Sequence, residues 1–311
     1  MAKFRDSEPM EMLPPVAPQP AQSSISGDDS SVHDRPIGDI LSDTRNLTAQ
    51  QVEQVLAYQR ENGLRFGEAA IALRLASTDD VLYALAQQFH YPYAPEASGL
   101  LAPEVVALSQ PFSPQAEAFR ALRSQVMMRV FATGQATPPR ALALISPNTG
   151  DGKSYVAANL AVVLAQLGGR TLLVDADMRN PRQHEIFKLN VKAGLSGALS
   201  GRAEKQVMQQ VAGIPSLFVL PVGAVPPNPL ELVERPAFGL LIRELATKFD
   251  HVLVDTPAAA LGSDGQVIAA RCGAALGVAR KNASRVAALK ALSESIAQTP
   301  AELVGFLVNE H

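Results

Sequence analysis

The segment from Ser146 to Ser154 constrains this sequence more than any other. It reads Ser-Pro-Asn-Thr-Gly-Asp-Gly-Lys-Ser, after an apolar run at 141–145 and before an Ala/Leu/Val-rich helical pattern at 155–167. This order predicts a strand, a glycine-containing loop and a helix that begins at Lys153. Glycine lets such a loop curl without steric cost, so that backbone N–H groups from Gly150 to Ser154 can point at phosphate oxygens. Lys153 would then reach the β- and γ-phosphates, and the Ser154 hydroxyl would bind Mg²⁺.

The loop departs from the commonest phosphate-binding pattern at one position. Pro147 stands where a glycine is expected, six residues before the lysine. Taken alone, the segment is also compatible with an ordinary strand–loop–helix turn that carries a surface lysine. Independent support is therefore needed from elsewhere in the chain.

Composition limits the kind of protein that this sequence can form. The chain has 311 residues, of which 47% are hydrophobic and 18% are charged, enough for one large α/β domain and a smaller one. A net charge of −3 argues against an unaided nucleic-acid or anionic-lipid surface. The single cysteine, Cys272, excludes an internal disulfide framework, and no apolar run is long enough to cross a bilayer. These features predict a cytoplasmic protein.

The chain divides by composition into four segments. Residues 1–32 are rich in Pro, Ser and Asp and predict a disordered tail. Residues 33–95 contain a repeat with an offset of 29 residues, in which a glycine, an apolar segment, a Thr or Ser N-cap and an amphipathic helix follow one another. The two predicted helices are Ala49–Glu61 and Thr78–Phe89. A linker is predicted at 96–114, with a short helix near 103–108, and the main domain at 115–311.

The main domain alternates helical and strand patterns. Helices are predicted at 115–130, 153–167, 237–248, 264–271 and 283–297, and strands at 141–146, 170–176, 217–222, 251–256, 273–280 and 303–309. Such alternation predicts an α/β fold with a mostly parallel sheet and helices on both faces. Ligands of these sheets bind at the carboxyl ends of the strands, which is where the 146–154 loop lies.

Acidic residues end two further predicted strands. Asp175 and Asp177 follow the apolar run at 172–174, and Asp255 follows 252–254. Each of them alone is equally well explained as the start of a turn. Together with Lys153 they would surround one site that supplies a phosphate cradle, metal-binding groups and a proton acceptor.

These motifs in combination resemble the bacterial tyrosine kinases (BY-kinases), which have a deviant P-loop ATPase fold. The phosphate loop, the Asp-x-Asp-x-Arg motif at Asp175, Asp177 and Arg179, and the Asp-Thr-Pro motif at 255–257 all match, and so does the Pro-rich segment at 226–232. The related cell-division-site ATPases carry a lysine five residues before the loop lysine. Asn148 occupies that position here, which favours the kinases.

The resemblance implies a set of site residues. ATP would be bound by Thr149, Gly150, Asp151, Gly152, Lys153, Ser154 and Tyr155, and its base by Asn309. Magnesium would be held by Ser154 with one or more of Asp175, Asp177 and Asp255, directly or through water. Lys153 would neutralise phosphate charge, and Asp175 would accept the proton of the tyrosine hydroxyl, since positioning and charge neutralisation account for most of phosphoryl transfer.

The resemblance also implies partners. Family members self-associate through a Glu-x-x-Arg-x-x-Arg helix, here Glu117, Arg120 and Arg123, so a homo-oligomer is expected. The alternative is a solvated helix with local ion pairs. A separate membrane chain-length-determinant protein (polysaccharide co-polymerase) would activate the chain and recruit it to the inner face of the plasma membrane.

The tyrosines of this chain are few and widely spaced. Many BY-kinases carry a tyrosine-rich tail that they phosphorylate. The five tyrosines here are Tyr58, Tyr83, Tyr91, Tyr93 and Tyr155, and Tyr91 and Tyr93 have the sequence context most typical of exposure.

The repeat at 33–95 resembles the N-terminal domain of type II secretion and pilus assembly ATPases. Some of these domains bind cyclic di-GMP through Arg-Leu-Gly-containing repeats that end in Gln. The second repeat here has Arg65-Phe66-Gly67 and Gln88, whereas Arg45 and Arg74 replace the later glycines. The segment is therefore either a cyclic di-GMP site or a plain docking module.

Three functions follow as hypotheses. The first is an ATP-dependent tyrosine (auto)kinase that regulates exopolysaccharide chain length, polymerisation or export. The second is a partner-regulated ATPase switch of the same fold that phosphorylates no protein. The third is a cyclic di-GMP sensor of the same pathway.

Overall fold

The computed structural model describes residues 35–88, 102–131, 140–202 and 207–310. Its strands are β1 (Ala141–Ile145), β2 (Thr171–Asp175), β3 (Gln209–Val211), β4 (Ile214–Leu220), β5 (His251–Asp255), β6 (Gly273–Arg280) and β7 (Glu302–Asn309). Its helices are α1 (Ile37–Arg45), α2 (Ala49–Asn62), α3 (Phe66–Ala72), α4 (Thr78–Gln88), α5 (Val106–Ser109), α6 (Pro114–Arg129), α7 (Lys153–Ala165), α8 (Gln183–Ile186), α9 (Leu195–Leu199), α10 (Pro229–Glu234), α11 (Pro236–Lys248), α12 (Asp264–Cys272) and α13 (Val286–Ala297). No helix in these ranges is both long and hydrophobic enough to span a bilayer.

One seven-stranded sheet organises the region from β1 onward. Its strand order is β3-β4-β2-β5-β1-β6-β7, and every neighbouring pair is parallel except β3 and β4. The predicted α/β fold with a mostly parallel sheet is therefore confirmed. Because β2, β5 and β1 are adjacent, the loops that follow these three strands meet at one edge of the sheet.

Successive side chains of each strand pack on opposite faces of the sheet. Leu142 and Leu144 of β1 belong to one hydrophobic core, together with α5, α6 and α7, whereas Ala141, Ala143 and Ile145 belong to a second core with α11, α12 and α13. Helix α7 is buried along its whole length from Val156 to Ala165. A helix that is apolar on all sides must be buried, which explains why its sequence lacks an amphipathic pattern.

The long elements lie close to their predicted positions, and the short ones were missed. All six predicted strands and five predicted helices of the main domain are present, with ends that differ by up to three residues. The elements not predicted are β3, α8, α9 and α10, which have three to six residues each. Segments this short show no hydrophobic periodicity.

The N-terminal helices follow the predicted repeat. Thr48 accepts a hydrogen bond from the backbone N–H of Gln51 at 3.3 Å, and Ser77 accepts one from that of Asp80 at 3.2 Å, so each repeat caps its second helix in the same way. The segments after the repeat glycines, predicted only as apolar, are the helices α1 and α3. A Cβ on Gly67 would lie 2.6 Å from Val81, which explains the glycine at this helix contact.

Residues 102–113, predicted as the end of the linker, pack on the core next to α7. Asn159 of α7 accepts a hydrogen bond from the backbone N–H of Ala107 at 2.9 Å and donates one to the carbonyl of Glu104 at 2.9 Å. Val105, Ala107 and Leu108 are buried in the core. The boundaries of the domains stay predictions, and the predicted tail, Tyr91 and Tyr93 lie outside the described residues.

Candidate nucleotide and metal site

The 146–154 loop connects β1 to α7 and has the predicted conformation. Gly150 and Gly152 have φ angles of +85° and +97°, in the left-handed region that favours glycine. A Cβ on Gly152 would lie 2.1 Å from Nδ2 of Asn309, whereas one on Gly150 would meet nothing within 4 Å. Thr149 lies exposed at the tip of the loop. The loop therefore ends at the N-terminus of α7, where backbone N–H groups and the helix dipole favour an anion.

Asp151 braces this loop from within. Its carboxylate is 2% exposed and accepts hydrogen bonds from the backbone N–H of Asn148 and the hydroxyl of Ser284, both at 2.8 Å. Its carbonyl accepts one from Asn309 Nδ2 at 3.3 Å. The Asp151 side chain, predicted as part of the nucleotide site, thus holds the loop in shape. Ser284, between β6 and α13, was not predicted.

Lys153 lies between the loop and the acidic side chains. Its Nζ donates a hydrogen bond to Ser146 Oγ at 3.0 Å, and the residue is buried. Burial raises the pKa of Asp177 and Asp255, and the positive charge of Lys153 opposes this rise in both. Lys153 therefore acts electrostatically on two of the three acids that were predicted to share its site, and the roles of these residues stay predictions.

Asp175 and Asp255 are direct neighbours at the ends of β2 and β5. They are partners in the parallel register, and both are fully buried. Burial raises the pKa of both side chains, and the charge of Asp255 raises that of Asp175 further. When two carboxylates lie this close, the state in which both are ionised is unfavourable unless a cation compensates their charge.

Asp175 and Asp177 differ in how accessible they are. Asp175 accepts hydrogen bonds from the backbone N–H groups of Asp177, Arg182 and Gln183, at 3.0–3.2 Å, and is fully buried. Asp177 is 6% exposed, and its Oδ1 accepts hydrogen bonds from the backbone N–H groups at 179 and 180. Burial raises the pKa of Asp177 as well. Asp177 is therefore the slightly more exposed of the two acids, and the predicted role of Asp175 as proton acceptor stays a prediction.

Arg179 and Asp264 form an ion pair beside this loop. The guanidinium donates two hydrogen bonds to the carboxylate, from Nε at 3.2 Å and from the terminal nitrogen at 3.0 Å. Asp264 is buried in the first turn of α12. The pair joins α12 to the loop that follows β2, and Asp264 was not predicted.

Magnesium fits the site as a partly hydrated ion. Among the residues that the structure describes, Oδ1 of Asp255 is a buried acceptor without a hydrogen-bond partner. Within the described ranges, no three His, Cys, Asp or Glu side chains are grouped so that they hold a metal alone. Mg²⁺ keeps several waters and takes one or two protein ligands plus phosphate oxygens. Ser154 and the neighbouring carboxylates, acting partly through water, suit that coordination.

Asn309 and Tyr155 line a cavity next to the phosphate loop. The cavity has a volume of about 400 Å³ between α6, the start of α7 and the end of β7, and its lining includes Phe119, Leu122 and Leu307. Its apolar wall and its position suit a flat ring adjoining the phosphate cradle. The predicted contact of Asn309 with the base stays a prediction.

The residues predicted for self-association bind within the chain. Arg120 forms an ion pair with Glu117 at 2.8 Å and donates a hydrogen bond to the carbonyl of Pro111. Arg123 donates one to the carbonyl of Val163 at 2.8 Å, in the last turn of α7. Only the Glu117 side chain is largely exposed, at 72%. A role of these arginines between subunits stays a prediction.

Comparison with known proteins identifies the region that contains this site. Residues 142–311 match the model of the CobQ/CobB/MinD/ParA nucleotide binding domain. The chain is 34% identical over 170 residues to tyrosine-protein kinase CpsD of Streptococcus agalactiae, a match that covers 54% of this chain and 74% of that protein. The crystal structure of the chimerical protein CapA2B2 is 34% identical, with a TM-score of 0.61, and the match covers 74% of this chain and 98% of that one.

Other relatives are much longer than the region that matches. Tyrosine-protein kinase ptk of Acinetobacter johnsonii is 33% identical over 159 residues, but the match spans only 22% of its length and 51% of this chain. The comparisons give no support for the cyclic di-GMP site. The chain therefore belongs to the bacterial tyrosine kinases, a family built on the CobQ/CobB/MinD/ParA nucleotide binding domain.

Proposed function

We propose that the chain is an ATP- and Mg²⁺-dependent protein-tyrosine kinase of an exopolysaccharide pathway. The observation that carries this proposal is the register of Asp175 with Asp255, which sets two buried carboxylates beside Lys153 and Ser154. Paired carboxylates with raised pKa values next to a phosphate loop suit metal binding and proton transfer to or from a hydroxyl.

Each residue then has a separate role. The phosphate loop and Lys153 bind and neutralise the phosphates, while Ser154 and Asp255 hold Mg²⁺, which supplies charge neutralisation when bound. Asp175, the register partner of Asp255, adds a second negative charge next to the metal site. Asp177 replaces Asp175 as the proposed proton acceptor, because Asp175 is fully buried and already accepts three backbone hydrogen bonds.

The partners are proposed from the family. The relatives named CpsD and ptk are tyrosine kinases. We extend the proposal to a separate membrane chain-length-determinant protein that activates the chain and recruits it from the cytoplasm to the membrane. Self-association through α6 belongs to the same proposal.

The test is incubation of the full chain with γ-labelled ATP and Mg²⁺, with a glutamate–tyrosine copolymer as the acceptor. Labelled phosphotyrosine is expected on the chain or the copolymer, and it should be absent with Lys153→Met. Repeating the assay with washed membranes of the source organism tests the activator, which should increase the labelling. ATP hydrolysis without labelled tyrosine under all these conditions rejects the kinase proposal.

That rejecting outcome defines the second candidate, a partner-regulated ATPase switch. The placement of the described tyrosines favours it. Tyr155 is half-buried, and its ring packs edge-on against that of Phe119, with 5.6 Å between the ring centroids. The Tyr83 hydroxyl accepts a hydrogen bond from Gln87. Tyr58 is half-buried in α2. None of these three tyrosines is fully exposed, which makes each of them a poorer acceptor than a tyrosine in an exposed segment.

A further inference from the structure

Gln183, the first residue of α8, connects the three motifs of the nucleotide site. Its backbone N–H donates a hydrogen bond to Asp175 Oδ2 at 3.0 Å. Its side-chain Nε2 donates to Asp255 Oδ2 at 2.8 Å and to the carbonyl of Ser154 at 3.1 Å. The residue is fully buried. One glutamine therefore contacts both buried carboxylates and the first turn of α7.

The orientation of the Gln183 amide follows from its neighbours. Nε2 faces two oxygen acceptors, so a flipped amide would place Oε1 against a carboxylate and a carbonyl. In the orientation present, Oε1 is buried and has no hydrogen-bond partner within the described residues. Asp255 Oδ1 is in the same situation. A buried acceptor without a donor costs free energy, and such atoms are commonly paired with water or an ion.

Both unpaired acceptors belong to side chains that are bonded to each other and to Ser154. We propose that Gln183 is a positioning residue of the metal site, whose Oε1 accepts a hydrogen bond from a water molecule bound to the Mg²⁺ at Ser154, beside Asp255 Oδ1. This proposal rests on the proposed function, since it requires Mg²⁺–nucleotide binding at this loop. Residues outside the direct ligand set commonly change metal affinity by about 10- to 100-fold.

The experiment measures binding and not turnover. A fluorescent ADP analogue is titrated into the full-length protein, with a saturating excess of Mg²⁺ in one series and with EDTA in the other. The ratio of the two dissociation constants is the gain in affinity that Mg²⁺ provides. Gln183→Met keeps the length of the side chain but removes both the acceptor Oε1 and the donor Nε2, which bonds Asp255 and the Ser154 carbonyl. It should lower this gain about tenfold while the affinity in EDTA stays near that of the wild type.

Gln183→Glu should change the gain in the opposite direction. An added carboxylate beside Asp255 increases repulsion without metal and offers an acceptor when Mg²⁺ is bound, so the gain should rise. Gln266→Met is the matched control, because Gln266 also donates from Nε2 to a carbonyl, that of Ser295 at 2.9 Å, on α12 away from the acids. Circular dichroism melting verifies that each variant is folded.

The possible outcomes separate this proposal from the proposed function. If the wild type binds no ADP analogue, the proposed function fails and this proposal with it. If the wild type shows the Mg²⁺ gain and Gln183→Met keeps it in full, the role of Gln183 is refuted alone. A shift of the same sign in both Gln183 variants indicates a purely structural role and also refutes it.

Discussion

Replacing Gly152 with alanine tests the close contact between the phosphate loop and the last strand. The added Cβ would lie 2.1 Å from Asn309 Nδ2, in a backbone conformation with φ of +97°. The left-handed conformation costs an alanine about 1–2 kcal/mol. Displacing Asn309 also removes its hydrogen bond to the carbonyl of Asp151, worth about 1 kcal/mol. Gly152→Ala should therefore lower the free energy of unfolding by about 2–3 kcal/mol.

Gly150→Ala is the matched control for this substitution. Gly150 has a similar φ of +85°, but its added Cβ would meet no atom within 4 Å, so only the conformational cost of about 1–2 kcal/mol remains. For a domain of this size, 1 kcal/mol shifts the melting temperature by about 2–4 °C. Thermal melting followed by circular dichroism should thus give a drop of about 4–12 °C for Gly152→Ala and a clearly smaller one for Gly150→Ala.

A second substitution isolates the steric part of this cost. Asn309→Ala removes the amide group that the new methyl group would strike, so Gly152→Ala combined with Asn309→Ala should destabilise by less than the sum of the two single changes. Equal melting temperatures for Gly152→Ala and Gly150→Ala would refute the contact. Strict additivity in the double variant would refute it as well.

Three further predictions concern charge. Lys153→Met should lower ATP hydrolysis by about 100-fold or more, measured as released phosphate, because a preorganised cation near the phosphates is lost; unchanged hydrolysis would exclude Lys153 from the site. Burial raises the pKa of Asp255 above its ordinary value of 3.8, so the folded state favours the protonated carboxyl and stability should fall as the pH rises from 3.8 through the raised pKa. Asp255→Asn should reduce this dependence of the melting temperature on pH, measured in EDTA. An unchanged dependence would contradict the burial argument. Asp264→Asn should destabilise by about 1–3 kcal/mol in urea unfolding, because the Arg179 guanidinium loses a buried partner. Glu302→Gln should cost under about 0.5 kcal/mol, because the Glu302 side chain is 60% exposed in its ion pair with Arg140; equal costs would refute the difference in burial.

Local sequence patterns predicted six of the seven described strands and the mostly parallel sheet, and they placed the phosphate loop and the acidic residues at one sheet edge. The apolar runs before Asp175 and Asp255 predicted buried strands, and the known behaviour of parallel sheets then placed both acids at one edge. Their direct register, and the rise in pKa that comes with it, depends on which strands pair, and the spacing within each strand carries no information about that.

The missed residues share a different cause. Gln183 lies in a helix of four residues, too short to show a period, and its contacts are with residues 29 and 72 positions away. Ser284 binds Asp151 across 133 positions. Asn159, a polar residue inside an apolar helix, likewise binds residues 104–107 through two hydrogen bonds to their backbone. Such contacts follow from the packed fold and leave no periodic trace in the sequence.

The contact between Asp151 and Asn309 has a consequence for synthesis of the chain. The two residues are 158 positions apart, and Asn309 ends the edge strand β7. A nascent chain on the ribosome has made the phosphate loop long before the amide that supports it exists. The proposed site should therefore reach its full nucleotide affinity only after residue 309 has left the exit tunnel and β7 has joined the sheet.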